Sequence, residues 1–358
     1  MELNLDLLDK CYKGKNVFIT GHTGFKGSWL VSWLHLLGAN IHGYALAPEN
    51  INDNYNKING DSLCNSILAD IRDKEKLKSE ILNIQPDFIF HLAAQPLVRF
   101  SYESPVETFE TNIIGTANVL DAVRYLDKPC NIILITTDKV YENKEWHYPY
   151  RESDRLGGYD PYSASKAAAE IIIDSYRNSF FNKNKFDGHH KSIASVRAGN
   201  VIGGGDWSKD RIVPDIIKAL SQNEVVTIRN PNAIRPWQHV LEPLNGYLKL
   251  GAKMDLGTGE FNEAWNFGPF LEDTLTVKDF VKISIKKWGK GEFQTPELSN
   301  QPHEAEILKL DINKTIKMLG WKPIWNADKA IEKTIEWYKN MNASITFNQI
   351  KEFQTFDI

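Results

Sequence analysis

Short, continuous apolar runs separated by helix-length amphipathic stretches govern what this chain can fold into. The runs are NVFIT at 16–20, IHGYAL at 41–46, DFIFHLAA at 87–94, NIILITT at 131–137 and SIASVRA at 192–198. A strand with one wet face alternates apolar and polar residues, whereas a strand covered on both faces reads as an unbroken apolar run. Segments 27–38, 73–84, 105–126 and 162–180 between the runs have helical length and pattern. This β-α alternation predicts an α/β fold, a doubly wound Rossmann-type sheet that is mostly parallel.

After Asn200 the winding loses its regularity. The glycine-rich NVIGGGDW leads to a helical pattern at about 211–222, and EVVTIRNPNAIRPWQHV then brings Pro and Asn clusters between short strands. Helical patterns near 276–289 and 326–340 and the turn LGWKPIW at 319–325 complete a smaller, mixed α/β lobe. Ligands of open α/β sheets bind beyond the carboxyl ends of the strands, where such a lobe closes a cleft. The expected division is a dinucleotide-binding domain over 1–199 plus about 234–265, with a substrate lobe over about 200–233 and 266–358.

Charge and cysteine content exclude several functions. The 46 acidic and 42 basic residues leave a formal charge of −4, so no global field recruits nucleic acid or an anionic membrane. Cys11, Cys64 and Cys130 form neither a disulfide framework nor a thiolate metal set. No apolar run approaches the roughly 18 residues of a membrane span, and the amino terminus lacks a basic start followed by an apolar block. A cytoplasmic protein without a bound metal is expected. The pairs His303-Glu304 and His189-His190 read as surface or loop groups.

Chemistry enters at the strand ends. VFIT runs into GHTGFKGSWL, which puts Gly21, Gly24 and Gly27 in a strand-to-helix turn, where small residues let backbone N–H groups approach a pyrophosphate. Asp70-Ile71 follows the third strand, and Asp70 reads equally as a cap of the next helix. No carboxylate stands at the usual ribose-gripping place after the second strand; Glu49 falls late. Lys26 reads as a solvated loop lysine, with phosphate contact as the alternative. In GYDPYSASKAAAE, Tyr162 and Lys166 stand one helical turn apart, so that an ammonium can stabilise a phenolate able to exchange a proton with a hydroxyl. The fifth run ends in TTDKVY, where the charged pair Asp138-Lys139 follows Thr137.

GHTGFKGSWL, HLAAQPLVR, TTDKVY, the Tyr-x-x-x-Lys helix, RPWQHVLEPLNGYL and HEAEILKLD…LGWKPIW span residues 17–340. Together they resemble the extended short-chain dehydrogenase/reductase family, and within it the nucleotide-sugar 4,6-dehydratases, in particular those acting on CDP-glucose. The resemblance implies NAD held by Gly21, Thr23, Gly24, Phe25, Lys26, Gly27, Asp70, Ile71, Leu92, Ala93, Ala94, Asn112, Tyr162 and Lys166. It implies a nucleotide sugar held by Gln95, Asn200, Arg211 and Arg235, with a Trp or Tyr near 207 or 237 as a stacking candidate. Thr137, Tyr162 and Lys166 would oxidise the C4 hydroxyl. Asp138 and Lys139 would then serve the loss of the C5 proton and the C6 oxygen, with Asp138 as acid and Lys139 as base or the reverse. The implied enzyme feeds deoxysugar and surface-polysaccharide synthesis and pairs as a homodimer through helices 105–126 and 162–180. The competing readings are a 4,6-dehydratase of another nucleotide sugar, a nucleotide-sugar 4-epimerase, which has no need of Asp138 and Lys139, and a catalytically silent NAD-sensing protein.

Overall fold

Seven strands, all parallel to their neighbours, make the central sheet. A computed structural model describes residues 3–296 and 308–357. The strands are β1 (Asn16–Thr20), β2 (Asn40–Ala45), β3 (Asn65–Leu68), β4 (Phe88–His91), β5 (Cys130–Ile135), β6 (Lys191–Ala198) and β7 (Ala264–Phe267). Their spatial order is 7-6-5-4-1-2-3. The winding reverses where β1 lies between β2 and β4, which opens a crevice beyond the carboxyl ends of β1 and β4. The α/β doubly wound expectation therefore matches the structure.

Helices cover both faces: α1 (Leu3–Tyr12), α2 (Phe25–Leu36), α3 (Lys74–Ile84), α4 (Gly115–Val123), α5 (Pro161–Ser179), α6 (Ile212–Ser221), α7 (Leu241–Leu256), α8 (Val277–Trp288), α9 (Asn313–Leu319), α10 (Ala327–Asn340) and α11 (Ala343–Phe356). Successive strand residues point to opposite faces, so each apolar run feeds two cores. Phe18, Ile89, Ile132, Leu134 and Ile193 face the core under α3, α4 and α5. Val17, Ile19, Phe88, Phe90, Ile133 and Val196 face the other, which also holds Trp29 and Trp33 of α2.

That second core extends without a break into the C-terminal elements, through Trp321, Trp325, Trp337 and Phe353. Trp33 meets Phe353 edge-on at 5.8 Å, and Trp29 Nε1 donates to Gly204 O at 2.9 Å. The C-terminal helices therefore brace the sheet from the α2 side as well as bordering the strand ends.

Two departures from the sequence reading have local causes. The helix expected over 105–126 is broken into Pro105–Phe109, a wide π turn over Glu110–Ile114, and α4. π turns relax the regular ladder and recur at functional sites; this one carries Asn112. Helix α7 escaped notice because it is buried nearly all round, including Glu242, Asn245 and Lys249. Two of its polar side chains share one partner: Lys249 Nζ and Asn245 Nδ2 both reach the Asp357 carboxylate, at 2.5 and 2.6 Å. A helix that buries lysine and asparagine this way shows no clean apolar stripe.

Gly246 in α7 faces the Phe267 ring, which is wedged against Tyr247 and Trp321, and a Cβ there would lie 2.2 Å from Cε1 of that ring. Helix propensity alone makes Gly→Ala favourable by about 1 kcal/mol, whereas overpacking costs about 1–3 kcal/mol. Because the ring has no room to retreat, Gly246→Ala is expected to destabilise the protein, as a lowered urea midpoint; a raised midpoint would show that the core yields.

Candidate active site

The glycine turn is built by close backbone approach. Gly21 has φ +75°, and a Cβ on it would stand 2.7 Å from Ala93 N. A Cβ on Gly27 would stand 2.0 Å from Gly21 O. Both positions exclude a side chain, which lets α2 start directly against β1 and β4. Gly24 is the N-cap of α2, and no side chain caps it. The positive end of the helix therefore presents unsatisfied N–H groups to the crevice, the arrangement a pyrophosphate needs. Thr23 Oγ1 donates to Leu46 O at 2.8 Å and fixes the turn to the end of β2. Leu92 and Ala93 lie alongside, their N–H groups bonded to Thr20 O and Thr20 Oγ1.

Asp70 sits past β3 with its carboxylate about one-third exposed and forked on Arg72, whose Nη2 is 2.6 Å away. Arg72 holds that carboxyl below the usual range. The cap of α3 is Asp73, which accepts from Lys76 N, so Asp70 is not the cap of that helix. Ile71 is buried against Gly115. No acid stands at the end of β2; Glu49 is exposed. The glycine turn, the uncapped α2 and Asp70 together fit a dinucleotide laid across the switch point.

Beyond β5 the chain turns through a 3₁₀ segment, Asp138–Val140, capped by Thr137. Thr137, Asp138, Tyr162 and Lys166 are all buried. Thr137 Oγ1 donates to Asp138 Oδ1 at 3.0 Å, and its hydroxyl opposes the rise of Tyr162. Lys166 Nζ donates to Ile135 O at 3.2 Å. Burial pushes Tyr162 up to about 12, and it pushes Lys166 down to about 8 against the opposing pull of Glu170. In the protein alone burial thus favours the phenol form of Tyr162, against the opposing pull of Thr137 and Arg211. Burial also raises Asp138 above the usual carboxylate range, against Lys139, Thr137, Arg235 and Lys26. Lys139 is half-buried beside it.

Lys26 departs from its reading as a solvated loop lysine. Its ammonium lies within electrostatic reach of Arg211, Lys166 and Asp138, and burial lowers it to about 8. It belongs to the floor of the site. Arg211 donates to Asp206 Oδ2 at 2.7 Å and acts electrostatically on both Tyr162 and Lys26. Arg235 acts on Asp138, and a Cβ on Gly199 would come within 3.0 Å of Asp138 Oδ2 and 3.3 Å of Pro236. Asn200 accepts from Gln238 N through its carbonyl, which binds the end of β6 to the RPWQ segment.

Asn112 and Gln95 brace one another beside the site. Asn112 accepts from Gln95 N at 2.8 Å and donates to Gln95 O and Ser165 Oγ. The Gln95 side chain bonds Leu97 N, Leu97 O and Thr108 Oγ1. Trp237 is a core residue whose ring lies tilted against Phe280 at 4.4 Å, and Trp207 donates to Asn52 O. His189 bonds Asn182 O and Lys191 N, while His303 and Glu304 lie outside the described residues. Among the described residues no cluster of His, Cys, Asp and Glu could hold a metal, and no helix is long and apolar enough to cross a membrane.

Comparison with known proteins adds an independent line. The family model for GDP-mannose 4,6 dehydratase matches residues 18–334. CDP-glucose 4,6-dehydratase of Salmonella typhimurium is 47% identical over 334 residues, covering 93% of each chain. dTDP-glucose 4,6-dehydratase of Streptomyces antibioticus is 28% identical over 338 residues, 92% of this chain and 93% of that one. Among solved structures, a dTDP-glucose 4,6-dehydratase from Streptomyces venezuelae with NAD bound superposes with TM-score 0.77 at 22% identity, covering 90% of this chain and 97% of that one. UDP-glucose 4-epimerase of Thermotoga maritima superposes with TM-score 0.76 at 21% identity, covering 90% and 98%. A dehydratase and an epimerase fit equally well, so the fold alone does not separate the two chemistries.

A buried ion pair beneath the site was not anticipated. Arg197 in β6 donates to Glu170 in α5 through Nε (3.0 Å) and Nη2 (2.9 Å). Glu170 also accepts from Thr136 Oγ1 at 2.6 Å and Ser195 Oγ at 2.8 Å. Arg197 Nη1 reaches Tyr141 OH at 2.8 Å and Glu152 O at 3.0 Å. Two signals were present: Tyr162, Lys166 and Glu170 repeat at intervals of four on one helix face, and an arginine inside the apolar run SIASVRA demands a partner. Removing one member strands the other's charge, at a cost of about 3 kcal/mol or more. Glu170→Gln is therefore expected to lower unfolding free energy in urea by about that amount, and Glu170→Gln with Arg197→Met to recover part of it. An unchanged midpoint in the single variant would show that Arg197 is solvated.

Proposed function

The chain belongs to the GDP-mannose 4,6 dehydratase family, and from that premise we propose that it is a NAD-dependent hydro-lyase converting CDP-glucose to the 4-keto-6-deoxy sugar nucleotide. The observation that carries this reading is Asp138, a buried carboxyl inclined to keep its proton, one residue from Thr137 and beside Lys139. A 4-epimerase needs no such pair. The 47% identity to a CDP-glucose 4,6-dehydratase over 93% of the chain supports the choice of CDP-glucose among nucleotide sugars.

NAD, held along the glycine turn and Asp70, would supply a hydride acceptor toward C4 and a hydride donor toward C6. The chain's own residues move the protons. Tyr162 must first give up its own proton, and as phenolate it takes the C4 hydroxyl proton while Thr137 holds the oxygen. The new ketone acidifies C5, whose proton passes to Lys139 as Asp138 protonates the C6 oxygen and water leaves. Lys139 returns its proton to C5 as the hydride reaches C6. Tyr162 then holds one proton too many and Asp138 one too few, and Thr137, which donates to Asp138 and acts on the Tyr162 hydroxyl, is the path between them. Arg211 and Arg235, at the mouth of the site, are the cations for the substrate diphosphate.

The same reading makes the enzyme a cytoplasmic homodimer. Cys11, Cys64 and Cys130 are free thiols, as a reducing compartment keeps them. Val106 and Ile114, along the segment leading into α4, and Ile171 on α5 are each more than half exposed. A second copy of the chain would cover them. Light scattering is expected to give twice the chain mass, and Ile114→Glu with Ile171→Glu the single mass; a monomeric wild type would remove this part of the proposal.

With NAD and a panel of CDP-, dTDP-, UDP- and GDP-hexoses, mass spectrometry is expected to show loss of one water from CDP-glucose. Asp138→Asn is expected to lower kcat about a hundredfold or more. Wild-type kcat is expected to fall as pH rises through the Asp138 ionisation, because an acid must hold its proton to give it. Water loss from no sugar, or C4 epimerisation that survives Asp138→Asn, would overturn the reading.

A further inference from the structure

The segment that carries Thr137, Asp138 and Lys139 is held at both ends by one buried ion pair. On its amino side Thr136 Oγ1 donates to Glu170 Oε1, and on its carboxyl side Tyr141 OH accepts from Arg197 Nη1. Tyr141 OH also donates to Asn266 Oδ1 at 2.7 Å, and its ring lies under the Arg197 guanidinium, 4.9 Å away. Between the tethers there is one extended residue and a single 3₁₀ turn, too short to wander independently. Glu170 is one turn beyond Lys166 on α5, so the pair spans three elements: the loop after β5, α5 and β6.

We propose that the Glu170–Arg197 pair is a positioning device, which keeps Thr137, Asp138 and Lys139 in register with Tyr162 and Lys166. This rests on the assignment of those five residues as the reacting groups. Neither Glu170 nor Arg197 touches substrate; both act through Thr136 and Tyr141. Two proton transfers and a hydride transfer must share one bound sugar, and a shift of an ångström in one group relative to the others costs catalysis without costing binding. The tethers are hydroxyls on residues whose shapes can be kept while the hydroxyl is removed.

The test compares Thr136→Val, Thr136→Ser and Tyr141→Phe with wild type, as full-length protein with NAD and CDP-glucose. Thr136→Val and Tyr141→Phe are expected to lose about tenfold or more in kcat with KM and thermal midpoint nearly unchanged, and Thr136→Ser, which keeps the donor, to remain near wild type. Reduced-nicotinamide absorbance is expected to build up during turnover in the two impaired variants, as oxidation outruns elimination. Without any substrate, amide hydrogen exchange over 136–141 is expected to quicken in the same two. Wild-type kcat and exchange in both, or an equal loss in Thr136→Ser, would overturn the proposal. A wild type that releases no water fails the functional reading instead, and the exchange result then judges the tether by itself.

Discussion

Burial of ionisable groups beyond β4, β5 and β6 is the constraint from which the site takes its character. Taking a charge out of water disfavours the charged form, so acids there hold protons and bases give them up. Tyr162 and Asp138 move up, and Lys166 and Lys26 move down. Asp138, Lys166 and Lys26 are thereby drawn toward the range where each can both take and release a proton, while Tyr162 is held as a phenol. The sheet does this by geometry. Its parallel winding ends all seven strands at one rim, and the C-terminal elements border that rim.

The same burial makes Glu170–Arg197 costly to form and costlier to break. Burial raises Glu170, yet the forked guanidinium and the hydroxyls of Thr136 and Ser195 outweigh it, and the carboxyl stays below its usual range. An apolar pair would fill that space with less desolvation. What an apolar pair cannot do is direct hydrogen bonds to two hydroxyls on either side of a three-residue turn. The retained charge is explained by direction.

The sheet was legible because both-face burial writes itself into continuous apolar runs: β1, β2, β4, β5 and β6 were located within a few residues. The strand β7 was not, since AWNF is short and follows a helix that shows no stripe. Glu242 illustrates why α7 is silent: this buried carboxyl accepts N–H bonds from Ile324 and Trp325, far along the chain, and burial raises it to about 8. A residue whose partner lies eighty positions away leaves no local pattern. In the site, spacing exposed Tyr162 with Lys166, and adjacency exposed Asp138 with Lys139. The direction of the Lys26 side chain and the bracing role of Asn112 and Gln95 depend on how loops meet in space, and a linear motif holds neither.

Dehydratase and epimerase share this architecture at near-equal similarity, so the difference between them must lie in a few side chains on a common frame. Thr137, Tyr162 and Lys166 suffice to carry a hydride off C4. Turning that into dehydration requires an acid and a base on the neighbouring carbons, both active before the ketone is reduced again. On the proposed assignment the loop after β5 is the place for them, because Thr137 would fix the C4 oxygen there and the next two residues necessarily stand beside it. A buried carboxyl at the first of those positions is a proton donor by environment alone, and a lysine at the second neutralises it once the proton has gone. The chemistry is thus set by two adjacent residues, and their reach by the hydroxyls that flank them.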